Sequence, residues 1–98
     1  MYKKIELNEL SKLESPVIID VREPYEFELG SIPGSINIPV GTLLDNYEKY
    51  LKTSKQYYIY CETSLMSSRV CEFLADFGYD VYLIQGGYKG WLQANNIF

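Results

Sequence analysis

The alternation of apolar and polar positions divides the chain into short strands and helices. Val17-Ile18-Ile19-Asp20-Val21 and Tyr57-Tyr58-Ile59-Tyr60 are unbroken runs of β-branched and aromatic residues, the pattern of strands buried on both faces. Tyr79 to Ile84 reads as another strand, with Val81 and Leu83 on one face, and Lys3 to Leu7 as a short edge strand. Helical spacing fills the intervals. Asn8 to Leu13 is amphipathic, and Pro24 to Leu29 opens on a proline and closes at Gly30. Leu43 to Leu51 reads as a helix, and Tyr88 to Ala94 as a last one carrying Trp91. Met66 to Phe77 carries apolar residues at Met66, Val70, Phe73, Leu74 and Phe77 ahead of Gly78, where a terminating glycine belongs. Ser31 to Pro39 is rich in turn residues and is expected as an ordered loop with a very short strand near Ile36-Asn37. Strands that alternate with helices predict an α/β fold: a three-layer domain with a mainly parallel central sheet and helices on both faces.

Sites in such sheets lie at the carboxyl ends of strands. Cys61 stands at one, between the Tyr57–Tyr60 run and the Met66–Phe77 helix. Loop amides and a helix N-terminus stabilise negative charge there, and the thiolate is the nucleophilic form of cysteine. The chain contains no histidine, which excludes Ser-His-Asp and Cys-His nucleophilic catalysis and removes the commonest metal ligand. If Cys61 is a nucleophile, backbone amides and the helix N-terminus must activate it, and main-chain N–H groups from Glu62 to Met66, curled around the sulfur, can hold the charge of a persulfide.

Composition narrows the class. With 98 residues starting at Met1, one complete domain over 1–98 is expected. The net charge is −4, from 13 acidic against 9 basic residues, with no basic run, so nucleic acid is not an expected partner. No stretch is long and apolar enough to span a membrane, and MYKKIELNEL lacks the apolar core of a secretory signal. A cytoplasmic, reducing location is the resulting expectation. Cys61 and Cys71 make no CxxC and no metal-ligand spacing, so neither a disulfide nor a metal site is expected. Cys71, beside Val70 and Leu74, reads as a small core residue.

Several stretches resemble the rhodanese-like domain family. Asp20-Val21-Arg22-Glu23-Pro24 with Glu26-Phe27 looks like its first signature, as does Gly30-Ser31-Ile32-Pro33-Gly34-Ser35-Ile36-Asn37-Ile38-Pro39. The strand–Cys61–loop–helix unit resembles its active-site loop, and Phe77-Gly78-Tyr79-Asp80-Val81-Tyr82, Gly86-Gly87 and Trp91 resemble its closing segment. The resemblance covers nearly the whole chain in order and spacing. It implies a single-domain sulfurtransferase in which Cys61 carries sulfur as a persulfide and Glu62, Thr63, Ser64, Leu65, Met66 and Ser67 form the substrate-binding loop. No metal or organic cofactor is implied. The implied partners are a small-molecule or protein-borne sulfur donor and a thiol acceptor, with the chain a monomer or weak homodimer. Asp20, Arg22 and Glu26 read as structural, Arg22 pairing with Glu26 or Asp20 to tie a strand end to the next helix.

The loop departs from the family pattern. Ser64 stands where active relatives often have glycine, and Met66 where they often have arginine. Glu62 sets an acid beside the nucleophile, so an anionic donor such as thiosulfate is expected to work poorly. The expected conformation turns the Glu62 carboxylate to solvent, and Ser64 is expected to resist a backbone that glycine permits. Arg69 reads as a surface residue or as an aid to anion attraction. The alternatives are a non-catalytic binding or regulatory module and, remotely, a cysteine phosphatase. A phosphatase needs an arginine six residues after the cysteine, and Ser67 occupies that position.

Overall fold

The computed structural model describes residues 1–96, so the last two positions of the expected 1–98 domain lie outside the described residues. Five strands form one sheet in the order β1-β5-β4-β2-β3 among these residues: β1 (Lys3–Ile5), β2 (Val17–Asp20), β3 (Ser35–Asn37), β4 (Gln56–Tyr60) and β5 (Asp80–Ile84). Every ladder between them is parallel, which goes beyond the expected "mainly parallel" sheet. The tyrosine-rich β4 is the middle strand, flanked by β5 and β2, and β1 lies at an edge, as expected of this short strand.

Side chains alternate across the sheet because successive strand residues point to opposite faces. Tyr57 and Ile59 of β4 join Ile19, Val81 and Leu83 on one face. Covering that face are Leu43 from α3 (Val40–Asp45), Leu51 after α4 (Tyr47–Tyr50), and Val70, Cys71 and Leu74 from α5 (Leu65–Asp76). Tyr58, Tyr60, Ile18 and Ile84 occupy the other face, against Leu10 of α1 (Leu7–Leu10) and Trp91 of α6 (Gly87–Ala94). The remaining helix, α2 (Pro24–Leu29), buries none of its residues fully.

Three helical expectations are corrected, the first being α1, which runs Leu7–Leu10 rather than Asn8 to Leu13. Leu43–Leu51 is not one helix but α3 and α4, interrupted at Asn46, whose φ of −138° leaves the helical region. The Asn46 side-chain amide donates to the Thr42 carbonyl at 3.0 Å, so this residue ends a helix by competing for its backbone acceptors. In α5 the buried face is Ser67, Val70, Cys71 and Leu74, rotated from the expected stripe. Phe73 and Phe77 instead project outward and pack with Tyr47, whose ring centroid lies 5.7 Å and 5.3 Å from theirs.

Candidate active site

Three neighbouring strands deliver their carboxyl ends to one place. Asp20 ends β2, Cys61 follows β4, and Gly86 lies just past β5. Asp20 and Tyr60 are register partners, and the Val21 amide donates to the Tyr60 carbonyl at 3.0 Å, carrying the pairing one step into the loops.

Cys61 is 3% exposed, at the floor of a pocket of about 410 Å³. Its sulfur accepts the Ser67 amide N–H at 3.2 Å and lies 3.1 Å from Ser67 Oγ. Ser67 is the third residue of α5, so this amide is one of the donors that a helix start leaves without an internal acceptor. The Ser67 hydroxyl can alternatively reach the Ser64 carbonyl at 3.4 Å. A protonated Cys61 can donate to Ser67 Oγ while that hydroxyl donates to Ser64; with a charged sulfur, the hydroxyl can rotate and donate to it instead. Amide and hydroxyl are thus the two donors within reach of the sulfur.

The expected ring of amides from Glu62 to Met66 is not what holds the sulfur: among the described residues the donating amide is Ser67's. The loop carbonyls are engaged elsewhere. Tyr88 N–H donates to the Cys61 carbonyl and Lys89 N–H to the Glu62 carbonyl, both at 2.9 Å. Ser64 Oγ accepts the Gly86 N–H at 2.9 Å. The first turn of α6 therefore clamps the loop from behind. Gly87 makes this approach possible, because a Cβ there would run into the carbonyl oxygens of Cys61, Glu62 and Thr63. The sequence shows Gly86-Gly87 only as a turn; its role against the loop depends on where α6 docks.

Thr63, Leu65 and Met66 line the pocket with Glu62. Ser67 lies buried beneath the sulfur, and Ser64 borders a different groove with Gln85 and Gly86. Ser64 has φ −163°, outside the left-handed region that favours glycine, so the strain expected of serine in place of glycine does not arise there. Arg69 borders the pocket and is exposed, making no ion pair among the described residues.

Arg22 is the charged centre beside the pocket and is buried. Its guanidinium grips Asp20 with contacts of 2.8–3.1 Å, donates to the Gly30 carbonyl at 2.6 Å and meets Glu62 Oε1 at 3.2 Å. Its central carbon lies over the Tyr88 ring, 4.3 Å from the centroid. Burial opposes its charge, but the hydrogen bonds and charge of Asp20, with Glu62 adding to them, outweigh that and raise its pKa above the ordinary arginine value. Of the two partners expected for Arg22, Asp20 is the one used; Glu26 instead accepts the Glu23 N–H at 3.2 Å at the start of α2. The Glu62 carboxylate is half-exposed but tied to Arg22 rather than free in solvent, which corrects the expected outward orientation. Neither the Glu62 pairing nor the Tyr88 contact carries a local sequence signal.

Cys71 is fully buried one layer below. Burial first, and the nearby Cys61 charge second, push its thiol up to about 12, so it stays protonated and inert at neutral pH. Both cysteines are free.

The sequence profile described as Rhodanese-like domain matches residues 4–94. The chain belongs to the rhodanese-like family. The Bacillus subtilis protein YqhL is 41% identical over 75 residues, a stretch covering 76% of this chain but 59% of that relative. The Bacillus subtilis protein named "Putative sulfurtransferase YtwF" is 32% identical over 78 residues, covering 80% of this chain and 75% of its own. Among solved structures, a rhodanese-related protein from Thermoplasma volcanium superposes with a TM-score of 0.86 at 33% identity, covering 95% of this chain and 93% of that one. At the level of the family, this rhodanese-like fold goes with sulfur transfer. Among the described residues no helix is long and apolar enough to cross a membrane.

Proposed function

We propose that this rhodanese-like domain is a sulfurtransferase or persulfide carrier working through Cys61. The observation that carries the reading is the Cys61 sulfur at the pocket floor, held by the Ser67 amide and hydroxyl at the start of α5. In the first step the Cys61 thiolate attacks a sulfane sulfur of the donor; the donor's S–S bond breaks and its remainder leaves with the electron pair. In the second, a thiolate or other nucleophile attacks the outer sulfur, and Cys61 leaves as thiolate. The chain's own groups hold the charge throughout, and the reaction calls for a reduced thiol, in keeping with a cytoplasmic setting. Glu62 makes a neutral or thiol-borne donor a better fit than thiosulfate, although its pairing with Arg22 softens the repulsion. A single domain acting as a monomer or weak homodimer completes the proposal.

A sulfur-transfer assay on Cys61→Ser tests it. Transfer is expected to vanish, with stability kept within about 1 kcal/mol because the exchange is nearly isosteric. Residual transfer in that variant would remove Cys61 from the mechanism. The 3% exposure of Cys61 favours a second reading, a rhodanese-fold binding module. Absence of transfer in the unaltered protein across chemically varied donors would select it.

A further inference from the structure

Large apolar side chains stand in solvent around the mouth of the Cys61 pocket. On one side Leu65, at the start of α5, is 71% exposed, with Met66 next to it; on the other, Tyr25 and Leu29 of α2 are 66% and 86% exposed. The two sides belong to one cleft. The Cys61 pocket and an adjoining recess of about 310 Å³, walled by Tyr25, Leu29 and Tyr88, share Arg22, Glu26 and Glu62. Apolar residues gathered at the entrance to a reactive group mark a surface that another molecule covers, and a small inorganic donor does not need them. The α2 side is also acidic: Glu23 and Glu28 are exposed and Glu26 is half-buried at the junction of the two recesses. The cation at that junction, Arg22, is committed to Asp20 and Glu62.

We infer that this collar docks a polypeptide presenting its own cysteine, with apolar side chains beside the cysteine and lysine or arginine flanking them. The inference rests on the persulfide reading of Cys61 and names the acceptor for it. The apolar neighbours cover Leu29, Tyr25 and Leu65, and the basic flanks face Glu23 and Glu28. The acceptor thiol, its proton lost to solvent, attacks the outer sulfur of the Cys61 persulfide. The S–S bond breaks, its electron pair stays on Cys61 Sγ, and the acceptor leaves as a persulfide. The exchange is redox-neutral between the two sulfur carriers.

The test loads the protein with inorganic polysulfide and follows single-turnover transfer to three acceptors. These are β-mercaptoethanol, a cysteine peptide with leucine and lysine flanks, and the same peptide with glutamate replacing lysine. The basic peptide is expected to react about tenfold faster than the acidic one, with the gap closing at high salt. Combining Tyr25→Ser with Leu29→Ser is expected to slow the basic peptide about tenfold, since burial of such side chains is lost, and to leave the rate with β-mercaptoethanol unchanged. Equal peptide rates, or a double variant that slows all three acceptors alike, would overturn the inference and leave the persulfide reading standing. Failure of Cys61 to load would overturn both. Concentration-dependent self-association abolished by Leu29→Ser would assign the collar to a second copy of the chain and also overturn the inference.

Discussion

Ser67 touches the Cys61 sulfur through both amide and hydroxyl, and only the hydroxyl can be removed by substitution. Ser67→Ala should slow alkylation of Cys61 by iodoacetamide about fivefold, the worth of one hydrogen bond of about 1 kcal/mol. Peptide mapping should still show Cys61 as the labelled cysteine, because Cys71 is buried and protonated. An unchanged rate would mean that the hydroxyl remains on the Ser64 carbonyl. Charge at the pocket wall is a second residue-scale matter. Glu62→Gln removes a carboxylate from the wall while Asp20 still holds Arg22, and Met66→Arg adds a cation to the same wall. Each should raise thiosulfate kcat/KM several-fold in steady-state assays, as expected for about 1 kcal/mol in a partly exposed site. If neither does, wall charge does not set donor preference. From the sequence, the position of Cys61 and the acid beside it were legible. That Arg22 reaches 40 positions along the chain to meet Glu62 was not, because such a pairing arises only when β2 and β4 lie side by side.

The central element is the junction of the β4–α5 loop with the start of α6. Gly87 sits at φ 62°, in the left-handed region, with loop carbonyls on its open side. Gly87→Ala should therefore destabilise the protein by about 2 kcal/mol or more in urea unfolding, since the obstructing atoms are backbone. Gly41→Ala is the matched control. Its Cβ would meet nothing within 4 Å inside α3, and it should stabilise by about 0.5–1 kcal/mol. Similar effects at both positions would refute the clamp. Element types and order were readable from periodicity, and α2 has the expected limits. The inward turn of Cys71 was readable, but the full rotation of α5 was not, because Phe73 and Phe77 are apolar yet satisfied by an aromatic cluster with Tyr47 outside the core, while the small polar Ser67 turns inward. The break at Asn46 is a case in which a residue suited to helix termination carried the signal and the apolar spacing on either side masked it.

For the molecule as a whole, buried acids that stay protonated make stability fall in alkali. Cys71 would ionise near 9 when unfolded but is held to about 12 in the folded chain, chiefly by burial. Tyr60, buried with its hydroxyl bonded to the Ile32 amide and Ser35, is likewise raised from 10 to about 12 by burial. Above pH 9 the unfolded state therefore binds fewer protons than the folded one. The contribution is intact below that pH and is lost between about 9 and 12. Urea titrations across that range should show the decline, and Cys71→Ala should flatten its first part while lowering stability overall. A flat profile would contradict the burial of these groups.

Whether Cys61 carries sulfur is decided by intact mass. The protein is incubated with sulfane-sulfur donors, freed of excess donor and weighed beside Cys61→Ser. A gain of one sulfur atom is expected in the unaltered protein, reversed by a thiol reductant and absent from the variant. An added sulfur that persists in Cys61→Ser, or no added sulfur from any donor, would contradict it.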